Sequence, residues 1–312
     1  MSPLISIITP VYNRPELLRK AISSVLAQTH RNFEYIVVDD ASTEDVKSIV
    51  LSFKDSRIKY LRNPINKMMA ATYNVGIGKA KGEYIAFLES DDEWLPTKLE
   101  KQLKLFEANK EVGVVYCGRY LVDEKGEVLS EDWPKHKGNI SKICLGQPLL
   151  APTVLMIKKE IGDKVNWFDS NLPGWNDWDL LIRLSKITKF DFVNELLVKY
   201  RIHSGQLTGK ILEGLPKKIK FYNLIYNKHM VEYNSHPKIN SNILRTIGTL
   251  CCRIGQSKQG REFFRKAIKL YPTRFKNYRS FIVSFFPTRF FNFLYFSSLE
   301  LRGKRFNIKM QK

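Results

Sequence analysis

Residues 89–93 read Glu-Ser-Asp-Asp-Glu and follow directly on the apolar run 84–88. Four carboxylates in five positions repel one another, and a packed core has no use for them. A divalent cation makes such an arrangement favourable, because Mg²⁺ or Mn²⁺ is held by one or two carboxylates together with phosphate oxygens. Not all four acids need touch the ion; some are free to reach sugar hydroxyls. A second acidic pair, Asp39-Asp40, closes the apolar run 33–38. Taken singly, each cluster could be no more than the cap of the next helix. Jointly, at equivalent ends of two buried strands, they favour a binding site. The first apolar run ends in Thr9-Pro10-Val11-Tyr12-Asn13-Arg14. No GxGxxG and no GxxxxGK[ST] follows it, so the usual backbone cradles for dinucleotides and triphosphates are missing. Tyr12 instead offers a ring on which a base could stack, with packing of Tyr12 and solvation of Arg14 as the plainer alternatives.

These acids need elements to position them. Residues 4–9, 33–40, 57–62 and 83–88 read as strands, that at 4–9 a continuous apolar run, and those at 4–9 and 33–40 as strands buried on both faces. Between them, 15–29 and 68–80 are helical, the first by its apolar spacing and with Pro15 in its first turn. A helix after residue 41 has Ser42 or Thr43 as its expected N-cap, and 95–109 is another helix. Strand–helix alternation with short connections implies a parallel sheet covered by helices on both faces. In such sheets ligands sit beyond the carboxyl ends of the strands, where both acidic clusters fall.

After residue 110 the rhythm changes. The run from 112 turns at Glu124-Lys125-Gly126 into an antiparallel partner, 152–159 and 195–203 are strands, and 178–186 is a short helix. From about 211 the chain is helical, with a helix–Gly turn–helix hairpin ending in a Pro stop at 244–272. The organisation expected is therefore a mixed α/β domain over 1–210, with halves 1–110 and 111–210, followed by a helical region over 211–312. Cys117, Cys144, Cys251 and Cys252 have neither a CxxC nor a Cys/His ligand spacing, so a disulfide framework is not expected and a reducing compartment fits. The apolar start lacks a basic leader and reads as a strand. No stretch of roughly 18 uncharged apolar residues, as a membrane span needs, exists; the nearest, 280–296, is interrupted by Pro287 and Arg289.

The stretches SIITPVYNR, AISSVLAQTHRNFEYIVVDDAST, NVGIGKAKGEYIAFLESDDEW and GWNDWDLLIRL resemble, in order and as a set, the serial motifs of the family 2 glycosyltransferases with the GT-A fold. The resemblance covers residues 4 to about 206. It implies a Rossmann-like, mostly parallel mixed sheet and a nucleotide-sugar donor, by family habit a UDP-sugar. Positions matching Pro10 and Tyr12 would hold the nucleotide, Asp40 would hydrogen-bond the base, Asp91 would reach the ribose or the metal, and Asp92 would bind the divalent ion on the diphosphate. Glu89 stands where many members have Asp, and Lys67 and Tyr73 lie in a segment where relatives often show Gly and Arg. Members often read Glu-Asp where this chain has Asn176-Asp177, which makes Asp177 the expected catalytic base and Asn176 a departure. Asp177 as a cap of the following helix is the plainer reading. Trp175 and Trp178 are equally a sugar platform or core. Arg201 and His203 could reach the diphosphate or metal, His203 as a further metal ligand or as a hydrogen-bonded structural histidine.

The net charge is +20, and its distribution is uneven: residues 210–312 hold 22 Lys and Arg against 4 acids, the first 209 hold 29 against 27. Lys and Arg alternate with Phe, Tyr and Leu across 258–305, as in helices that lie in an anionic membrane interface. Phe281, Phe285, Phe286, Phe290, Phe291 and Phe296 would dip below the headgroups. A solvated basic face over an aromatic core competes with this. A nucleic-acid partner leaves the acidic pocket unexplained. The expected protein is an inverting, metal-assisted glycosyltransferase acting on a glycan or lipid-linked acceptor, cytoplasmic and peripheral at the inner face of the membrane. The alternative is a non-catalytic nucleotide- or sugar-binding module of the same fold.

Overall fold

A computed structural model describes residues 2–203 and 214–300, the side chains of 296–300 excepted. The chain separates into two compact units, 1–209 and 210–312.

The first unit is built on one mixed sheet. Strands β1 (Ile5–Val11), β2 (Phe33–Asp39), β3 (Ile58–Arg62) and β4 (Tyr84–Phe87) run parallel, with β1 central between β2 and β4. All seven residues of both β1 and β2 are buried, as strands covered on both faces require. Helices α1 (Pro15–Leu26), α2 (Val46–Ser52) and α3 (Met68–Ile77) connect them. α1 carries Pro15 in its first turn as expected. The cap of α2 is Asp45, which accepts from the Ser48 amide at 3.0 Å; Ser42 and Thr43 are instead tied to Asn13 in the β1–α1 loop. α3 lies so close to the sheet that a Cβ on Gly76 would stand 2.5 Å from Ile8.

Beyond β4 the sheet turns mixed. β5 (Glu93–Trp94) leads into α4 (Lys98–Ala108) and then β6 (Val112–Val122), which folds back on β7 (Val128–Asp132) around Gly126 at φ +93°. Helix α5 (Ser141–Gly146) and a 3₁₀ turn over Pro152–Val154 precede β8 (Leu155–Lys158). Helices α6 (Lys159–Lys164) and α7 (Asn176–Ser185) precede the long β9 (Lys189–Arg201). The order across the sheet is β3-β2-β1-β4-β8-β6-β9-β5, with β7 on β6. β8 is antiparallel to both β4 and β6, and β9 runs parallel to β6. The strand expected over 152–159 is shorter because Pro152 opens a 3₁₀ turn. β9 starts earlier than expected because β6 pairs with it from Lys189 onward.

The second unit is helical: α8 (Leu215–Lys228), α9 (Met230–Asn234), α10 (Pro237–Arg253), α11 (Ser257–Leu270), α12 (Phe275–Val283) and α13 (Thr288–Glu300). α10 and α11 form the expected hairpin around Gly255, whose φ of +86° suits glycine. Cys251 and Cys252 are buried, and all four cysteines are free. Phe291 belongs with Cys252 and Phe264 to a buried cluster on which Phe281 packs. Phe291 is therefore core and Phe281 is partly buried against it, neither lying on an exposed face, and the Phe296 side chain lies outside the described residues. Phe275, Ile282, Phe285, Phe286, Phe290 and Phe293 are exposed among basic residues. No helix among the described residues is long and apolar enough to cross a membrane.

Candidate active site

The loops that leave β1, β2 and β4 at their carboxyl ends lie side by side because the three strands are neighbours. Asn13, at φ +51°, joins two of them: its side-chain oxygen accepts from the Thr43 amide at 2.8 Å, and its own amide donates to the Ser42 hydroxyl at 3.0 Å. Pro10 is buried in β1, and Tyr12 just beyond it is 47% exposed, so its ring is open to a ligand. Asp39 is fully buried and accepts from the Ser42 amide, the Tyr60 hydroxyl and Arg62. Burial works to raise its pKa, yet these hydrogen bonds and the Arg62 charge hold it below the ordinary range. Asp40 accepts from Asn63 and from the Lys67 amide on Oδ1 and from the Met68 amide on Oδ2, at 2.7, 2.8 and 3.0 Å. It thereby positions the entry to α3.

Leu88 hydrogen-bonds back to Ile8, and the chain then turns through Glu89–Asp92, with the Asp92 amide donating to the Glu89 carbonyl. Ligand oxygens of Glu89, Asp91 and Asp92 lie within 4.8 Å of one another. Asp91 Oδ2 meets Arg14 at 2.5 Å and the His203 Nε2 at 2.9 Å. Asp92 is 1% exposed; its Oδ1 accepts from the Arg201 amide at 2.9 Å, and its Oδ2 makes no well-formed hydrogen bond among the described residues, although the Thr153 side chain acts on the carboxylate. Burial, and then the charges of Glu89 and Asp91, push the Asp92 pKa well up; burial, Asp91 and Asp177 push Glu89 to about 8. Such a cluster fits a divalent cation: hard oxygen donors, an orphaned buried carboxylate oxygen, and repulsion that a cation relieves.

Asp177 stands in the first turn of α7, after Trp175 in a left-handed conformation at φ +55°. Burial raises its carboxyl above the usual range, against the lowering effect of the Trp178 amide at 2.8 Å. Its charge is among those that raise Glu89, so the two carboxyls act on one another. Asn176 holds the approach to this helix, donating to the Asp169 and Leu172 carbonyls at 3.0 and 2.7 Å. Asp179 is a buried partner of Arg183, and Trp178 is core, donating to the Cys144 carbonyl. Half-buried Trp175 rests edge-on against it at 5.4 Å. Arg201 is 2% exposed and spans the Asp91, Asp123 and Glu124 carbonyls and the Glu93 carboxylate. It is a clamp on the acidic loop and is not presented to a phosphate. Residues 204–208, named with His203 in the same stretch, lie outside the described residues.

Three neighbours of the cluster have no role in it that the sequence assigns. Arg119 lies over Tyr200 at 4.6 Å and is salt-bridged to Asp132, and its charge acts on Glu89 and Asp177. Its place in the middle of β6 carries no motif. Arg14, weighed as a solvated side chain, is the partner of Asp91. Tyr73 is buried, and the charges of Glu89, Asp92, Asp91 and Asp177 act on its hydroxyl. A cleft of about 480 Å³ opens at the opposite, amino end of β4, beside Gly82 and Lys158, and contains none of these residues.

The sequence profile described as "Glycosyl transferase family 2" matches residues 6–163. An uncharacterized glycosyltransferase of Rickettsia prowazekii is 38% identical over 221 residues, covering 69% of this chain and 69% of that protein. The Escherichia coli UDP-Glc:alpha-D-GlcNAc-diphosphoundecaprenol beta-1,3-glucosyltransferase WfgD is 30% identical over 217 residues, covering 69% of this chain and 83% of its own. The structure of a Pyrobaculum calidifontis mannosyltransferase in complex with GDP-Man and Mn²⁺ aligns with a TM-score of 0.59, covering 97% of this chain and 88% of that one at 13% identity. That likeness shows the GT-A fold. The profile and the relatives together show that the chain belongs to glycosyl transferase family 2.

Proposed function

We propose that this glycosyltransferase is an inverting enzyme that moves a sugar from a UDP-sugar to a glycan or lipid-linked acceptor in polysaccharide synthesis. The observation that carries the proposal is the cluster of Glu89, Asp91 and Asp92, with its unpartnered buried oxygen and with Asp177 acting on Glu89. Tyr12 and Pro10 line the nucleotide, and Asp40 Oδ2, which accepts from the Met68 amide, has capacity left for a base N–H. Asp92, with Asp91 and Glu89, holds Mg²⁺ or Mn²⁺, and His203 reaches the ion's surroundings through Asp91. A cation there supplies charge stabilisation for the departing diphosphate. Asp177 takes the proton of the acceptor hydroxyl as that oxygen attacks the anomeric carbon from the face opposite the diphosphate. The C–O bond to the acceptor forms, the C–O bond to the diphosphate breaks, and the anomeric centre inverts. A carboxyl pKa raised by burial suits this role, since a stronger base is better matched to neutral pH.

WfgD, by its name, uses UDP-Glc and a diphosphoundecaprenol-linked acceptor. The Pyrobaculum enzyme was solved with Mn²⁺. The first name supports the UDP-sugar donor assigned here and the second the metal, its own donor being GDP-Man. The basic second unit, with its exposed phenylalanines, fits the anionic inner surface of a membrane, where a lipid-linked acceptor resides. The test is nucleotide release and transfer across a panel of nucleotide sugars, with Mn²⁺ and with EDTA. Release from one donor only when metal is present supports the proposal; silence across the panel favours a binding module of the same fold.

A further inference from the structure

Tyr73 is 1% exposed, its ring stacked on Phe168 at 4.8 Å and edge-on to Phe87 at 5.2 Å. Its hydroxyl has no hydrogen-bond partner among the described residues. A buried hydroxyl left unpaired is costly, and phenylalanine would keep both ring contacts without that cost. The ring's neighbours locate the side chain. Phe87 ends β4 and leads into the acidic loop. Phe168 opens the segment that Asn176 fastens to the start of α7, and Asn74, next to Tyr73, donates to the Phe168 carbonyl at 2.7 Å. Tyr73 therefore stands in the seam between the cation-holding carboxylates and the helix start that bears Asp177. Burial, with the charges of Glu89, Asp92, Asp91 and Asp177, keeps the phenol protonated, and hence a donor, far beyond its ordinary range.

We propose that the Tyr73 hydroxyl is a specificity-determining donor to an oxygen of the transferred sugar. The inference rests on the reading of the site given above. With the diphosphate held on the Asp92 side and the acceptor hydroxyl at Asp177, the sugar under attack has to lie between them. A sugar oxygen in that gap is the acceptor the phenol lacks. The cationic side chain and imidazole that suit a diphosphate, Arg14 and His203, stand instead at Asp91.

The experiment compares wild type and Tyr73→Phe by calorimetric titration with Mn²⁺, using the nucleotide sugar that wild type binds most tightly and its nucleoside diphosphate. Metal-free thermal unfolding of both is recorded alongside. The variant is expected to bind the nucleoside diphosphate as wild type does, within about twofold, and the nucleotide sugar roughly tenfold or more weakly. Its metal-free Tm is expected to rise, because an unpaired buried hydroxyl has been removed. Unchanged affinity for the nucleotide sugar overturns the inference, as does equal weakening of both ligands, which would assign the phenol to the diphosphate. A lower Tm with both affinities lost marks a structural role and also overturns it. Failure of wild type to bind any nucleotide sugar brings down the underlying reading itself.

Discussion

The Arg201 amide donates to Asp92 Oδ1 over 2.9 Å, and this single bond fixes a carboxylate whose other oxygen is buried and unpaired. The fold holds one oxygen in place and gives the second no hydrogen bond among the described residues. Asp92→Asn removes a negative oxygen from the site without changing its shape. Mn²⁺-dependent binding of UDP should weaken by roughly 100-fold, while metal-free stability should not fall, because the repulsion from Glu89 and Asp91 is relieved. Titration calorimetry and thermal unfolding check the two halves; normal metal-dependent affinity would remove Asp92 from the site.

Asp177→Asn should lower turnover about a thousandfold and leave UDP affinity within about threefold of wild type. The pH profile is a second readout. Asp177 accepts a proton only when ionised, and burial raises its carboxyl. Activity should therefore climb with pH through a limb lying above the roughly 3.9 of a free aspartate. A limb at the free value would contradict the assignment.

Glu89, raised to about 8 in the cation-free protein, binds its proton more tightly in the folded chain than in the unfolded one. Its contribution to stability is complete below the ordinary glutamate range and declines as pH rises toward 8. A divalent cation takes the proton's place, so the Mn²⁺-induced rise in Tm should be larger at about pH 8.5 than at about pH 6. Scanning unfolding with and without Mn²⁺ measures it; a shift independent of pH would count against Glu89 as a cation neighbour.

Arg201→Met preserves length but strips the clamp from the acidic loop. With Glu93 and three carbonyls losing this donor in a buried to part-buried setting, stability should drop by about 3 kcal/mol. Mn²⁺ affinity should fall as well, since the loop loses its anchor. Urea unfolding gives the first quantity; a drop below about 1 kcal/mol would mean the clamp is dispensable.

The exposed face of the second unit permits a separate test. Ile282→Ser with Phe286→Ser alters residues that are 61% and 48% exposed, so folding should be retained. Sedimentation with vesicles containing anionic lipid should fall by roughly tenfold, and neutral vesicles should bind neither protein. Wild type that ignores anionic vesicles would sink the membrane assignment.

Much of this was legible before any coordinates. Continuous apolar runs at β1 and β2 announce strands covered on both faces, and acids at their ends stand out because nothing local requires them. What sequence could not reveal depends on long-range pairing. Arg201 and His203 sit two residues apart, yet one is buried as a clamp and the other meets Asp91, a division set by where β9 ends against β5 and β6. Arg119 acts on Glu89 and Asp177 only because β6 is paired into the sheet beside β9. Ser42 and Asp45 are both good caps by composition; the choice of Asp45 follows from Asn13, on another loop, having claimed Ser42. The aromatic tail reads uniformly, but helix packing divides it into core Phe291 and exposed Phe293.

The two residues of β5 follow the acidic turn immediately, yet they pair with β9 at the far edge of the sheet, past β8 and β6. The backbone that carries the carboxylates thus crosses the top of the sheet and is sewn into strands belonging to the later sequence. Exchanging the segment before residue 110 with that of a relative would sever this stitch, so hybrid enzymes joined there should misfold unless β5, α4 and β9 travel together.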